Sequence, residues 1–211
     1  MTNRKKSRAD KLEETRKALF EAAVHVVGEE GYSAASVDKI VSKANVAKGT
    51  FYNYFENQQD LFNQLLPNLG EKLLDYIRSH LDESLTGINR ERRRIECYFD
   101  FCKITPGFLR ILNEAEIFAP EAFHKHVNAF YEGYYRSIQR SVKRKEISGY
   151  DDEELAIVVF MLMGIRSYVT MLYQDKQIKN IPVDLKKVIN AYTKFVNRAL
   201  FSQQPDDAKG L

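Results

Sequence analysis

Residues 36–62 read SVDKIVSKANVAKGTFYNYFENQQDLF, and the fold turns on how that stretch is punctuated. Ser36 stands where a helix N-cap belongs, its hydroxyl able to accept from a free N–H two or three residues on. Val37, Ile40, Val41 and Ala44 then recur at helical spacing and give a short helix one apolar side. Asn45 tolerates the left-handed backbone that ends a helix, so the turn is placed there. Ala47 to Phe55 reads as a second short helix, with small residues first and aromatics after them. A third helix opens at Asn57, with Asp60 as the partner in a variant capping box. Two short helices about a tight turn make a helix-turn-helix, the pattern that lays its second helix in the major groove of DNA.

The order of residues inside that second helix suits the task. Gly49 and Thr50 let the backbone come close to a groove, and Lys48 brings charge toward phosphate. Tyr52, Asn53 and Tyr54 offer polar tips to bases or backbone. Ser36 and Lys39, near the start of the preceding helix, are placed to hold phosphates. Phe51 and Phe55, four residues apart, dock the helix on its own domain. A plain helical hairpin packed in a core is the alternative that spacing alone leaves open.

The wider pattern AxxVxxxxGYxxxSVDKIVxxANVAKGTFYNYFxNxxDLF resembles the DNA-binding domain of the TetR family of bacterial transcriptional regulators, without gaps from about Thr15 to Phe62. The resemblance implies a dimeric all-α regulator that binds a double-stranded, pseudo-palindromic operator. It also implies a four-helix dimer interface built from the two C-terminal helices of each subunit. Two positions depart from the family's pattern. Ala47 stands where the family often has a capping Ser or Thr, an omission worth about 0.5–2 kcal/mol. Gln58 stands where the family usually has a phosphate-touching Lys, which keeps a donor but loses a charge and predicts a shallower salt dependence.

Composition agrees with a globular chain. It has 211 residues, 44% of them hydrophobic, and a net charge of +3 that is too small to argue for nucleic acid by itself. Arg4, Lys5, Lys6 and Arg8 form a polar arm before the first helix, able to follow phosphates or enter a minor groove. No signal peptide is predicted, and the most apolar run, Leu155 to Ile165, is too short for a bilayer, so a cytoplasmic protein is expected. Cys97 and Cys102 are read as buried reduced thiols. The four histidines, His25, His80, His124 and His126, form no ligand set, so no metal or cofactor is expected. Nothing resembles a nucleophile–base pair or a glycine-rich phosphate loop, so no catalysis is expected.

The chain divides on this reading into residues 1–56, an arm with a three-helix DNA-binding domain, residues 57–204, a larger helical ligand-binding and dimerisation domain, and a frayed tail over 205–211. No segment alternates with the period of a strand, so the fold class is all-α with about nine helices. Past the helix-turn-helix and the helix opening at Asn57, the remaining helices are expected near 89–104, 107–117, 120–146, 151–175 and 183–202, set by the breaks at Thr86-Gly87, Thr105-Pro106-Gly107, Ala119-Pro120, Ser148-Gly149 and Ile181-Pro182.

Residues 97–135 are rich in rings, more than close packing of a small domain needs, which suggests a lined cavity. Tyr98, Phe101, Phe108, Ile111, Phe118, Phe123, Phe130, Tyr134, Met163 and Arg166 are the candidate contacts for a small apolar, acyl or aromatic effector. Arg166 interrupts an otherwise apolar helix. That helix, 151–175, is apolar on two faces, and the last helix can cover only one, so a second copy of the chain is expected on the other. The arginines at 90 and 92–94 and the cluster Arg136, Arg140, Lys143, Arg144 and Lys145 are read as solvated helix ends, with the anionic part of a ligand as the alternative for the second. The function expected is a ligand-responsive transcriptional repressor. A regulator without a small ligand, acting through a protein partner or on chromosome organisation, is the alternative.

Overall fold

The computed structural model describes residues 7–174 and 184–201. Among them lie nine α-helices and no strand: α1 Arg8–Glu30, α2 Val37–Ala44, α3 Lys48–Phe51, α4 Gln58–His80, α5 Gly87–Ile104, α6 Phe108–Phe118, α7 Pro120–Lys143, α8 Asp152–Gln174 and α9 Leu185–Val196. A π-helical turn, Asn197–Phe201, ends the last helix. Arg4, Lys5 and Lys6 of the expected arm, the break at Ile181-Pro182 and the tail lie outside the described residues. Arg8 belongs to α1 and not to the arm, because Ser7 closes a full capping box with Asp10 one residue ahead of it.

The chain forms two compact units, residues 1–72 with 102–127 and residues 73–101 with 128–211, and the divisions fall inside α4, α5 and α7. In the first unit, Leu19, Ala23, Val27, Ile40, Phe51, Leu61, Leu65 and Leu66 are fully enclosed. Rings lock this core edge to face, with Phe20 on Phe55 at 5.7 Å and Tyr32 on Phe62 at 4.9 Å. Helices α1 to α3 bury little surface by themselves. The start of α4 and all of α6 complete the layer, through Phe108, Ile111 and Ala115.

Close approach of α6 to α1 depends on two glycines. A Cβ on Gly28 would stand 2.8 Å from Cα of Gly107, and one on Gly107 would stand 2.4 Å from Cα of Gly28. Gly107 also has φ +86°, which a side chain would oppose. Around that contact Glu114 accepts from the backbone N–H of Tyr32 at 2.9 Å and from Arg110 Nε at 2.9 Å, while Arg110 also donates to the Glu29 carbonyl.

The second unit is held by a buried polar knot as well as by apolar packing. Glu91 on α5, 3% exposed, accepts from Arg94, from Tyr134 of α7 and from Tyr192 of α9, the last at 2.6 Å. Arg94 also donates to Ser137 at 2.5 Å and lies 4.6 Å above the Tyr134 ring. The reading of Arg94 as part of a solvated helix start is therefore wrong. Its partner sits one helical turn back, a spacing that looks like any surface i,i+3 pair until two tyrosines close over it. Burial, with the Glu91 charge beside them, pushes the hydroxyl pKa of Tyr134 and Tyr192 upward, so both stay protonated as donors.

On α8, Leu155, Val159, Leu162, Arg166 and Thr170 are buried, while Ile157, Phe160, Met161 and Tyr168 are each more than half exposed. The span Asp152–Tyr173 is long and apolar enough, by length and composition, to cross a membrane. The uninterrupted run from Leu155 to Ile165, too short for a bilayer, is thus one part of a longer apolar helix.

Candidate DNA interface and effector seat

Each end of the helix-turn-helix has a local cause. The Ser36 hydroxyl accepts from the Lys39 N–H at 3.3 Å, and Asn45 closes α2 with φ 54° and ψ 48°. Ala47 starts α3 without a side-chain cap. Asn57 Oδ1 accepts from the Asp60 N–H at 2.9 Å, but Asp60 answers to the Glu56 N–H and not to Asn57. The α-helix after the turn is shorter than expected. It stops at Phe51, and Tyr52 to Tyr54 continue as a turn, with Asn53 N–H bonded back three residues to Thr50 at 3.2 Å. Phe51 and Phe55, at 5.3 Å between ring centroids, anchor the segment from below.

That anchoring leaves one face free. Lys48, Gly49, Tyr52 and Asn53 are exposed, and Thr50 and Tyr54 are half-buried. A Cβ built on Gly49 meets nothing within 4 Å. Lys48 Nζ rests on Asp38 at 2.8 Å, and the hydrogen bond and charge of Asp38 hold its pKa above the usual lysine value. Such an exposed pair is worth little, so it yields to phosphate readily. The other three expected contacts are engaged within the unit. Ser36 caps α2, Lys39 Nζ binds Glu30 at 2.5 Å and the Ala34 carbonyl at 2.8 Å, and Gln58 donates to the Ala35 carbonyl at 3.0 Å. Gln58 and Lys39 thereby brace the loop that leads into α2.

The ten candidate effector contacts fall in both units. In the first, Phe108 and Ile111 are buried, Phe118 stacks on Tyr32 at 5.9 Å, and Phe123 is half-buried. In the second lie Tyr98, Phe101, Phe130, Tyr134, Met163 and Arg166. Phe101 faces the Tyr76 ring at 6.0 Å, Met163 is half-buried, and Tyr134 spends its hydroxyl on Glu91. Tyr98, Phe130 and Arg166 come together. The Arg166 guanidinium lies 4.5 Å from the Tyr98 ring and 4.1 Å from the Phe130 ring. It is 6% exposed, and its Nε and Nη1 meet no acceptor among the described residues. Two aromatic faces partly replace its lost hydration, but two strong donors remain unused.

A helix-turn-helix that buries Phe51 and Phe55 and exposes Lys48, Gly49, Tyr52 and Asn53, on a chain whose described residues form helices and no strand, points to a DNA-binding transcriptional regulator. The family described as "Bacterial regulatory proteins, tetR family" matches residues 19–65, the whole of that motif with the second half of α1 and the start of α4. Residues 19–65 therefore carry a DNA-binding domain of the kind this family describes. It is 24% identical over 189 residues, 88% of this chain and 96% of the relative, to an HTH-type transcriptional regulator of Bacillus subtilis, YhgD. It is 26% identical over 154 residues, 71% of this chain and 78% of the relative, to the nucleoid occlusion factor SlmA of Vibrio vulnificus. Among solved structures it resembles the fatty acid degradation regulator FadR of Bacillus halodurans, with a TM-score of 0.74 at 21% identity, covering 90% of this chain and 96% of that one.

Proposed function

We propose that this protein is a dimeric repressor that releases its operator when a small apolar carboxylate binds beside Arg166. The observation that carries the effector reading is the Arg166 guanidinium, enclosed between two rings with two donors unmet. A carboxylate matches that need, because it accepts charge-assisted bonds from a guanidinium and cancels its charge. The rings of Tyr98 and Phe130 suit an acyl or aromatic body behind the head group. The likeness in fold to a regulator of fatty acid degradation is consistent with such a ligand.

Two copies joined through the exposed apolar face of α8 and the adjoining α9 would present paired heads to successive major grooves of a pseudo-palindrome. Lys48, Gly49, Thr50, Tyr52, Asn53 and Tyr54 would make the contacts. The protein would act in the cytoplasm, on double-stranded DNA. Helix α4 contributes residues to both compact units, which makes it the element through which effector and operator would weaken one another. That weakening must be reciprocal, since linkage fixes both affinities by the same factor.

The similarity to a nucleoid occlusion factor favours the second reading, a DNA-binding protein that needs no small ligand. Thermal denaturation of the wild type and of Arg166→Met separates the two. A medium-chain fatty acid at about 100 times its dissociation constant stabilises a single site by about 2.7 kcal/mol. The expected result is a clear rise in Tm for the wild type and none for Arg166→Met. The variant by itself should melt at or above the wild-type temperature, because it removes buried donors that have no acceptors. An equal ligand-induced rise in both proteins, or a marked loss of stability in Arg166→Met, would overturn the effector seat. No rise with any acyl or aromatic carboxylate would favour the ligand-free reading.

A further inference from the structure

A cavity of about 460 Å³ lies within the second unit; Arg166 is not in its lining, though Phe130 is, and that lining is unusual in charge. Five arginines border it, Arg78 from α4, Arg90 and Arg94 from α5, and Arg136 and Arg140 from α7, against a single acid, Glu83. Leu74, Ile77, Leu81 and Phe130 form the apolar part of the wall.

The arginines differ in what already neutralises them. Arg94 is enclosed with Glu91, Arg78 pairs with Asp75 at 2.9 Å, and Arg136 with Glu132 at 3.4 Å. Arg140 has no ion pair among the described residues, and Arg90 reaches only the carbonyls of Asp82 and Leu85, each at 3.4 Å. Arg90 is half-buried. Burial first, then the charges of Arg94, Arg140 and Arg144, push its pKa down. Arg90 is thus crowded by other cations and partly stripped of water, while Arg140 beside it stays exposed, an arrangement that helix-dipole complementation at the end of α7 does not require of a residue on α5. An anion within the cavity would relieve that repulsion, and the apolar wall would strengthen its charge-assisted bonds. Guanidinium forks from separate helices suit a tetrahedral, multiply charged group better than a single planar carboxylate.

We infer that this cavity is a binding site for a small organic phosphate carrying two or more negative charges, with Arg90 and Arg140 as its principal contacts. The site uses neither Arg166 nor the residues exposed on the helix-turn-helix, and it can be tested without DNA.

The experiment is calorimetric titration of the full-length protein with pyrophosphate and with ADP, at fixed ionic strength. Wild type should bind both, and Arg90→Gln and Arg140→Gln should each weaken binding about tenfold, the loss of one charge-assisted contact. Arg92→Gln, whose side chain pairs with Glu96 outside the cavity, should leave it unchanged. The variants should keep the wild-type melting temperature in the absence of anion, which shows that they fold. Hydrogen exchange should slow in α5 and α7 on adding ADP. Absence of binding at about 1 mM, or equal loss in Arg92→Gln, would overturn the site. If Arg90→Gln and Arg140→Gln instead weakened random-sequence duplex DNA and left ADP binding intact, the arginines would be part of a DNA-facing surface and the inference would fail. Wild-type operator affinity and the fatty-acid shift, measured on the same samples, report separately on the proposed function.

Discussion

Lys48 and Asn53 stand on the same exposed face, yet their chemistry gives them different signatures. A flexible ammonium that meets phosphate carries no sequence information, whereas an amide on a base edge does. Lys48→Ala should weaken binding to every duplex alike and lower the slope of log affinity against log salt by about one per contact removed. Asn53→Ala should relax preference at one base step, a discrimination worth about 1–3 kcal/mol. Titration of a set of base-substituted duplexes over a range of salt checks both. A change of sequence preference in Lys48→Ala would reverse its assignment, and a uniform loss in Asn53→Ala would reverse the other. Capping chemistry made Ser36, Asn45 and Asn57 readable in the sequence, because each acts on backbone within four residues. Lys39, Gln58 and Arg94 were not readable in that way. What they bind lies across a loop or beneath another helix, as with the Ala35 carbonyl for Gln58 and Tyr134 over Arg94.

At the scale of elements, the helix order followed from the Gly and Pro breaks, with ends shifted by a few residues. The one large difference is α3, where a helix expected through Phe55 becomes a turn after Phe51. Periodicity over nine residues cannot distinguish an α-helix from a short helix followed by three-residue hydrogen bonds. The contact of α1 with α6 was also invisible, since two glycines far apart in sequence say nothing of each other. Gly107→Ala tests that contact. A methyl group there would overlap Gly28 and oppose a positive φ, so a loss of about 1–3 kcal/mol is expected, read as a fall in Tm. Gly49→Ala, in open space, should change Tm little while weakening DNA binding. A Gly107→Ala protein as stable as the wild type would mean that α6 does not lie on α1 in this way.

For the whole molecule, the sequence disclosed an all-helical chain with a DNA-binding head and an apolar α8, but it placed the division of the chain by motif alone. The compact units cut through α4, α5 and α7, because a helix that supplies cores on both sides belongs to neither in sequence terms. The ring-rich segment was legible as unusual. Its ten candidates look alike in sequence, because neither the enclosure of a ring nor the unmet donors of Arg166 leave a mark on residue spacing.

Paired heads of this chain, joined as proposed, would read a symmetric DNA site. In vitro selection of random duplexes by the purified protein, at about 0.15 M salt, tests it most directly. The expected result is a pseudo-palindrome with half-sites about one helical turn, or a multiple of it, apart, enriched by the wild type and lost with Phe160→Asp, which puts a charge on the exposed face of α8. Enrichment of no sequence, or of a single asymmetric site retained by Phe160→Asp, would contradict it.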